Sequence, residues 1–196
     1  MSEPPRRLVA RLISEDDRVW LGLFSAGERR FWEKEVTDYL REQAGSFWLE
    51  GWSTTHLFSL QESPEIVGYV SACVHHWNIK RTEGVFPKWD REIRQLPDRV
   101  PVLRIPYLAV AGKHQGYGYG TEMFLQFQEM LAVAPGAPRF MYLECWEDNA
   151  DAVRFYKEIG FEQYDVEAVD RVPYDETPGN LIRLPYDRFR LPNPTS

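Results

Sequence analysis

A short stretch in the second half of the chain constrains the fold more than any other, because glycines recur there at alternate positions. An apolar run at 105–110 is followed by a polar turn at 112–114 and then by Gly116, Gly118 and Gly120. An apolar helical pattern begins directly afterwards. Glycine permits left-handed turns and a close approach of the backbone to a ligand. The stretch therefore predicts a strand, a tight glycine loop and a helix.

A loop of this kind at the start of a helix is a potential site for a phosphate group. The N–H groups of the first helical turn have no partner within the helix, and the helix dipole favours an anion there. A P-loop needs a lysine where Thr121 stands, and a dinucleotide fingerprint needs G-x-G-x-x-G. The spacing excludes both and fits Q-x-x-G-x-G, as Gln115, Gly118 and Gly120. A helix entry without a ligand remains the alternative.

A second motif lies in residues 143–161, which read L-E-C-W-E-D-N-A-D-A-V-R-F-Y-K-E-I-G-F. Together with the glycine loop, it resembles the GNAT superfamily of N-acetyltransferases, whose members carry L-x-V-x-x-x-N-x-x-A-x-x-x-Y-x-x-x-G-F at this distance. The residues in register are Leu143, Asn149, Ala152, Tyr156, Gly160 and Phe161. Cys145 replaces the usual valine, which is a mild change in a core position. The resemblance covers most of the chain.

The resemblance implies the GNAT fold, an α/β (α+β) arrangement with a mixed, mostly antiparallel sheet of six to seven strands and about four helices. The apolar patterns agree with it. The predicted strands are 8–13, 54–60, 66–77, 105–110, 140–146, 161–169 and 181–186. The predicted helices begin near residues 14, 28, 117 and 149 and end at Gly27, Gly45, Val133 and Gly160. Residues 79–98 are predicted to be a long surface excursion. We expect a single domain over 1–196 with loose ends at 1–5 and 191–196.

The resemblance also implies acetyl-CoA as the cosubstrate, in a splay between the strand segment 107–110 and the strand 140–146. The backbone of Leu108 and Val110, with Ala109 between them, would pair with the pantetheine amides. Asn149 would bond to the pantetheine arm. The residues whose N–H groups would hold the pyrophosphate are Gln115, Gly116, Tyr117, Gly118, Tyr119, Gly120 and Thr121.

Two residues are implied as catalytic. Tyr156 matches the family tyrosine that protonates the CoA thiolate, and a phenol with a pKa of about 10 is a suitable donor; the alternative is a helix residue that only packs with Phe155. Glu144 matches the glutamate base proposed for ribosomal-protein N-terminal acetyltransferases, and burial would raise its pKa into a useful range. Alternatively, Glu144 faces solvent or pairs with Arg139. Other candidates for deprotonating the amine are a water chain, Glu122, Glu147, His75 and His76.

The acceptor is expected to be a primary amine, on a small molecule or on a protein N-terminus or lysine. The helix F-W-E-K-E-V-T-D-Y-L-R-E-Q-A and the strand pair after it resemble toxin-type GNATs, which acetylate aminoacyl-tRNA. The net charge of −7 disfavours a tRNA surface. The basic residues that would form such a surface, or an ordinary solvated one, are Arg6, Arg7, Arg11, Arg29, Arg30, Lys80, Arg81, Arg91, Arg94 and Arg99. A non-catalytic acyl-CoA-binding module is a further alternative, and a homodimer is compatible with the sequence.

The composition also bears on whether the chain is a metalloprotein, a disulfide-rich protein, a membrane protein or a secreted one. Cys73 and Cys145 lie singly in apolar runs, and H-E-x-x-H is missing from the sequence, so no metal site or disulfide framework is expected. Apolar runs are too short for a membrane span, and the first residues lack a signal-peptide core. We therefore expect a cytoplasmic protein without a membrane partner.

Overall fold

The computed structural model describes residues 7–78, 99–133, 138, 140–146, 148–161 and 181–187. The chain divides into two compact units, residues 1–73 with 105–135 and residues 74–104 with 136–196. The strands follow the order β1-β2-β3-β4-β5-β6 in one sheet, and β3 and β4 each run from one unit into the other. The predicted class, a mixed and mostly antiparallel sheet with helices, is confirmed.

The first unit contains most of the elements. Its strands are β1 (Leu8–Leu12), β2 (Thr54–Leu60), the first part of β3 (Ile66–Asn78) and the second part of β4 (Arg99–Val110). Its helices are α1 (Arg18–Leu23), α2 (Phe31–Asp38), a π-helix (Tyr39–Gln43), α3 (Ala44–Leu49) and α4 (Tyr119–Val133), with 3-10 turns at Glu15–Asp17 and Gly112–His114. The second unit adds β5 (Phe140–Trp146), α5 (Ala150–Glu158) and β6 (Leu181–Asp187).

The strands of the first unit are antiparallel where their register is defined. β1 pairs with β2 from Leu8 opposite Leu60 to Leu12 opposite His56, and β2 pairs with β3 with a shift at Phe58/Ser59. Alternate side chains of a strand point to opposite faces. Leu57 accordingly joins the core under α1–α3, whereas the neighbouring His56 contacts Phe127 of α4. Helices therefore cover both faces of this part of the sheet.

Two helix ends differ from the predictions. Gly45 does not end the second helix, because the chain passes through the π-helix into α3 and continues to Leu49. The first left-handed residue after it is Gly51, with φ 73°, and a left-handed glycine is what commonly ends a helix. The first helix ends at Leu23 rather than at Gly27, because Phe24 already has an extended backbone. Leu40 and Ala44 are fully buried, and this apolar packing explains why the helical segment continues past Gly45 to Leu49.

The hairpin strands, the strand 140–146 and the last strand match their predictions within about two residues. β4 begins at Arg99, earlier than predicted. The predicted excursion at 79–98, most of the strand at 161–169 and both chain ends lie outside the described residues. Among the described helices, none combines the length and the apolar character needed to cross a membrane.

Candidate active site

One backbone edge at the end of β4 faces away from β3. The Ala111 N–H donates to Val67 O on β3 at 2.8 Å. Ala109 O also faces β3, since a Cβ added at Gly68 would lie 2.6 Å from it. Backbone groups of successive strand residues point to opposite sides. Leu108 and Val110 therefore direct their N–H and C=O groups away from β3, as pairing with a pantetheine arm requires.

Two prolines limit the pairing of β4 on its other side. The parallel register with β5 comprises Val102–Arg104 opposite Phe140–Tyr142. This short ladder lies between Pro101 and Pro106, and neither proline has an N–H to donate. On its other side, β5 is registered with β6 along its whole length, from Phe140 to Trp146. The strand segment 107–110 of the predicted cleft belongs to the first unit and the strand 140–146 to the second.

The glycine loop has the left-handed turns that its sequence predicted. Gly116 and Gly118 have φ values of 82° and 81°, whereas Gly120 already belongs to the first turn of α4. A Cβ at either of the first two positions would meet no atom within 4 Å. These two glycines are therefore needed for their backbone angle rather than for lack of space.

The loop offers a row of N–H donors. The Gln115 N–H donates to Gly112 O at 3.4 Å, and the Thr121 N–H donates to Gly118 O at 3.1 Å. Between them, the N–H groups of 116–120 donate to no group among the described residues. Within the cradle predicted at 115–121, the N–H groups that donate to no described residue are those of Gly116, Tyr117, Gly118, Tyr119 and Gly120.

The start of the loop is tied to the connection between α1 and α2. The Gln115 side-chain amide donates to Ala26 O at 2.9 Å and to Val110 O at 3.0 Å. The Gly112 N–H donates to Ser25 O at 2.8 Å. Gln115, predicted to contribute its N–H, instead uses its side chain to hold three chain segments together. The motif alone did not predict this side-chain role of Gln115.

A carboxylate on the β2–β3 turn holds the same region. Glu65 Oε1 lies 2.7 Å from Lys113 Nζ and 2.7 Å from His114 Nε2. Hydrogen bonds from Lys113 and His114 lower the pKa of Glu65, against the effect of partial burial. The sequence did not predict this cluster, because Glu65 is distant along the chain.

Tyr156 is buried in the second unit. Its ring contacts Phe155 at 5.2 Å and Phe161 at 5.7 Å between centroids, and the Phe161 N–H donates to Tyr156 O at 2.9 Å. Its hydroxyl group has no hydrogen-bond partner among the described residues. Burial raises the pKa of Tyr156 above that of an ordinary phenol, and nearby Cys145 adds to the increase. The phenol is therefore neutral at physiological pH, which is the form that can donate a proton.

Cys145 is also neutral. Burial, with a smaller contribution from Asp148, raises the pKa of its thiol to about 11. The thiolate is the nucleophilic form of cysteine. Cys145 is thus a core residue, as predicted, and not a nucleophile at neutral pH.

Asn149 has a structural role that the motif did not reveal. Its Oδ1 accepts a hydrogen bond from the Ala152 N–H at 3.3 Å and so caps α5. A capping side chain satisfies one of the N–H groups that lack a partner at a helix start. The side-chain NH₂ of Asn149 remains available for a ligand within the described part of the chain.

Glu144 forms an ion pair. Its Oε2 accepts from Arg104 Nη2 at 3.0 Å, and only 19% of its side chain is exposed. Arg183 of β6 is its register partner. The predicted alternative partner, Arg139, lies outside the described residues, and Arg104 was not predicted.

The other candidate bases differ in their contacts and in their exposure to solvent. Glu122 accepts hydrogen bonds from the Leu8 N–H at 3.1 Å and from Gln126 Nε2 at 3.2 Å, so it secures β1 to α4. His75 contacts the Tyr142 ring, and His76 is exposed. Glu147 lies outside the described residues. In the part of the chain that is described, no group of His, Cys, Asp and Glu side chains is arranged to hold a metal ion.

The basic residues named for a tRNA surface have different surroundings where the structure describes them. Arg11 pairs with buried Asp17 at 2.6 Å, and the Arg30 guanidinium lies 5.5 Å from the Trp32 ring centre. Arg7 and Arg29 are exposed. Arg6, Lys80, Arg81, Arg91 and Arg94 lie outside the described residues, as does the side chain of Arg99.

Comparison with known proteins gives a family match and several similar folds. The model of the acetyltransferase (GNAT) family matches residues 19–161. No curated protein sequence is significantly similar to the chain. AtaT in complex with acetyl-methionyl-tRNAfMet has a TM-score of 0.68 at 16% identity, over 92% of this chain and 95% of that one. A bacterial toxin has a TM-score of 0.70 at 15% identity, over 94% of this chain and 92% of that one. A mutant of KacT has a TM-score of 0.66 at 17% identity, over 91% of this chain and 95% of that one. These identities support similarity of fold alone.

Proposed function

The chain belongs to the acetyltransferase (GNAT) family, and from this membership we propose that it transfers the acetyl group of acetyl-CoA to a primary amine. The amine nitrogen attacks the thioester carbonyl carbon directly within a ternary complex. The C–S bond then breaks, the CoA thiolate takes up a proton, and the attacking nitrogen loses one.

The proposal is supported most directly by two neighbouring features of the backbone: the edge of β4 that faces away from β3, and the row of N–H donors in the glycine loop. Leu108 and Val110 direct their polar groups away from β3. The loop that follows has N–H groups without partners at 116–120 among the described residues. A pantetheine arm needs amide partners, and a pyrophosphate needs N–H donors at a helix start. One continuous segment of chain thus suits both parts of acetyl-CoA.

We assign Tyr156 the role of general acid. Its hydroxyl group has no partner among the described residues, and burial keeps it protonated. A buried donor without a competing partner is available to a leaving thiolate. Developing charge on the thioester oxygen requires a backbone donor, for which the N–H of Val110 or of a neighbour such as Leu108 is proposed.

Glu144 is the proposed base for the amine, acting through an ordered water. Its partial burial favours this role, whereas the ion pair opposes it because Arg104 already occupies one of the carboxylate oxygens. The alternative is a water chain without one essential residue. These two routes predict different outcomes for Glu144→Gln, which removes the first and leaves the second in place.

The test is an acceptor screen that follows CoA release from acetyl-CoA. The panel contains polyamines, free amino acids, a peptide with a free N-terminus and an N-terminally blocked lysine peptide. We expect turnover with at least one amine and strong loss of turnover in Tyr156→Phe. Tight acetyl-CoA binding without turnover on any acceptor, including aminoacyl-tRNA, would instead support the non-catalytic acyl-CoA-binding module.

A second candidate function is acetylation of the amine of aminoacyl-tRNA, as in toxin-type GNATs. The similarity in fold to AtaT, solved with acetyl-methionyl-tRNAfMet, favours it, and the net charge of −7 opposes it. Growth arrest on expression, relieved by Tyr156→Phe, together with acetylation of charged tRNA in vitro, would support this function. Healthy growth with an enzyme active on small amines would contradict it. The cytoplasmic location and a homodimer stay predictions from the sequence.

A further inference from the structure

Four aromatic rings of the first unit form a row from β4 to the protein surface: Tyr107, Tyr39, Phe47 and Trp52. The Tyr39 and Tyr107 rings are stacked, with 3.8 Å between their centroids and 19° between their planes. Tyr39 contacts Phe47 edge to face at 6.0 Å, and Phe47 lies 6.4 Å from Trp52. The exposed fraction rises from 2% for Tyr39 to 36% for Phe47 and 69% for Trp52. This aromatic row therefore has a buried end and an exposed end.

Hydrogen bonds between buried side chains fix the inner end of the aromatic row. The Tyr39 hydroxyl group lies 2.7 Å from Ser71 Oγ and 3.1 Å from Ser53 Oγ. Thr55 Oγ1 donates to Ser71 Oγ at 3.2 Å. Tyr39 is also the first residue of the π-helix, and π-helical turns occur frequently at functional sites. A ring that is already fixed in position loses little conformational entropy when a ligand binds against it.

Backbone hydrogen bonds hold the outer end of the row. The N–H groups of Trp52 and Ser53 both donate to Phe47 O, at 2.8 and 3.3 Å. Gly51 has a left-handed φ of 73°, which turns the chain back after α3. The Trp52 ring is therefore placed beside Phe47 although most of it is exposed to solvent. Large rigid rings of this kind provide much contact area to a ligand at a low cost in entropy.

The inner end of the row adjoins the strand segment assigned to the thioester. Tyr107 directly precedes Leu108, whose polar backbone groups face away from β3 and whose N–H is one of the proposed donors to the thioester oxygen. The Tyr107 side chain packs against the core under α1–α3. The roles assigned to the cosubstrate use the backbone of this segment and leave the aromatic side chains to another part of the reaction.

We propose that the aromatic row binds the apolar part of the acceptor, and that the acceptor is a primary amine carried by an aromatic or large apolar group. The inference rests on the proposed function and adds the substrate class of the acceptor. The amine nitrogen forms a bond to the acetyl carbon and loses a proton, while the C–S bond breaks and the thiolate gains a proton. Tyr107 covers one face of the Tyr39 ring, so the row offers the single exposed ring of Trp52 to a flat apolar group. Recognition of a cation, by contrast, uses the faces of several rings.

The test compares kcat/KM values for 2-phenylethylamine, ethylamine and 1,4-diaminobutane. The wild-type protein is expected to use 2-phenylethylamine at least about tenfold better than ethylamine, because a ring gains at least as much apolar contact as a methylene group. Trp52→Ala is expected to lower kcat/KM for 2-phenylethylamine about three- to tenfold, the effect of one aromatic pair, and to leave ethylamine within a factor of about two. Trp52→Phe keeps an aromatic ring and should retain most of the preference.

Leu125→Ala is the matched control, because Leu125 is an apolar residue of α4 that is 50% exposed. It should leave the ratio of the two kcat/KM values unchanged, and Trp52→Ala should leave acetyl-CoA affinity unchanged. Trp52 is largely exposed, so its replacement should shift the melting temperature by no more than about 2 °C. An unchanged ratio in Trp52→Ala, or equal losses for both amines, contradicts the proposal.

The wild-type protein separates failure of this inference from failure of the proposed function. If it acetylates ethylamine as well as 2-phenylethylamine, or prefers 1,4-diaminobutane, acetyl transfer to amines stands and the aromatic row does not select the acceptor. If it acetylates no amine in this set or in the wider acceptor screen, the proposed function fails, and the inference fails with it.

Discussion

The side-chain amide of Gln115 donates a hydrogen bond at 2.9 Å to the carbonyl oxygen of Ala26, which lies 89 positions earlier in the chain. The same nitrogen donates to Val110 O at 3.0 Å. One side chain therefore joins the α1–α2 connection, the end of β4 and the glycine loop. The two hydrogen bonds of Gln115 therefore help to fix the start of the loop and, with it, the position of the loop N–H groups.

Replacing Gln115 is expected to weaken acetyl-CoA binding more than it slows the chemical step. Gln115→Glu removes the donor and sets a carboxylate against two carbonyl oxygens, so we expect roughly a tenfold increase in Kd, with Gln115→Ala intermediate. Titration with acetyl-CoA measures this. Gln126→Ala is the control, because Gln126 also donates to a backbone oxygen, Leu8 O at 3.3 Å, but away from the loop. Equal losses in Gln126→Ala would indicate a general effect on stability.

Variants of Asn149 should separate helix capping from ligand binding. Asn149→Ala removes the Oδ1 cap on Ala152 N–H and should lower the free energy of unfolding by about 1 kcal/mol. Asn149→Asp keeps a capping oxygen but lacks the NH₂ group, so it should retain stability and lose acetyl-CoA affinity. Thermal unfolding and acetyl-CoA titration of both variants provide the measurement. Full affinity in Asn149→Asp would leave Asn149 with a capping role only.

Tyr156→Phe is expected to reduce kcat by about 10²-fold or more while acetyl-CoA affinity stays within a factor of about two. The ring contacts with Phe155 and Phe161 are retained, and only the hydroxyl group is removed. Steady-state kinetics with the acceptor found in the screen measures the effect. Tyr117→Phe is the matched control, since Tyr117 is a loop tyrosine that is 74% exposed. An unchanged kcat in Tyr156→Phe would remove this residue as the acid.

The sequence predicted best where a motif depends on local backbone geometry. Gly116 and Gly118 have the left-handed angles that their spacing indicated, and Asn149 begins a helix as expected. Contacts between distant segments were missed, because their partners have no fixed spacing: Gln115 with Ala26, Glu65 with Lys113, and Glu144 with Arg104. The end assigned at Gly45 was wrong for a similar reason, since burial of Leu40 and Ala44 extends the helix past it.

The ion pair between Glu144 and Arg104 makes the proposed base testable with one variant of each residue. If Glu144 is the base, Glu144→Gln should lower kcat at least about tenfold. Arg104→Gln should then also lower kcat, because the Glu144 carboxylate loses the ion pair that holds it in place. Steady-state kinetics of both variants, with melting temperatures as the control, gives the measurement. Lower melting temperatures with unchanged kcat would assign the 3.0 Å pair to stability and favour the water chain.

His56 should make the fold sensitive to mild acid. Its Nδ1 is buried without a partner among the described residues, its ring contacts Phe127, and burial lowers its pKa. The folded pKa is then below the unfolded value of about 6.5, so the unfolded chain binds the proton first as the pH falls. The free energy of unfolding should therefore decrease from about pH 7 to about pH 5. Denaturant titrations at several pH values should give a smaller decrease for His56→Leu than for the wild type, whereas exposed His76→Leu should match the wild type. Parallel curves for all three proteins would show that His56 does not contribute to the pH dependence.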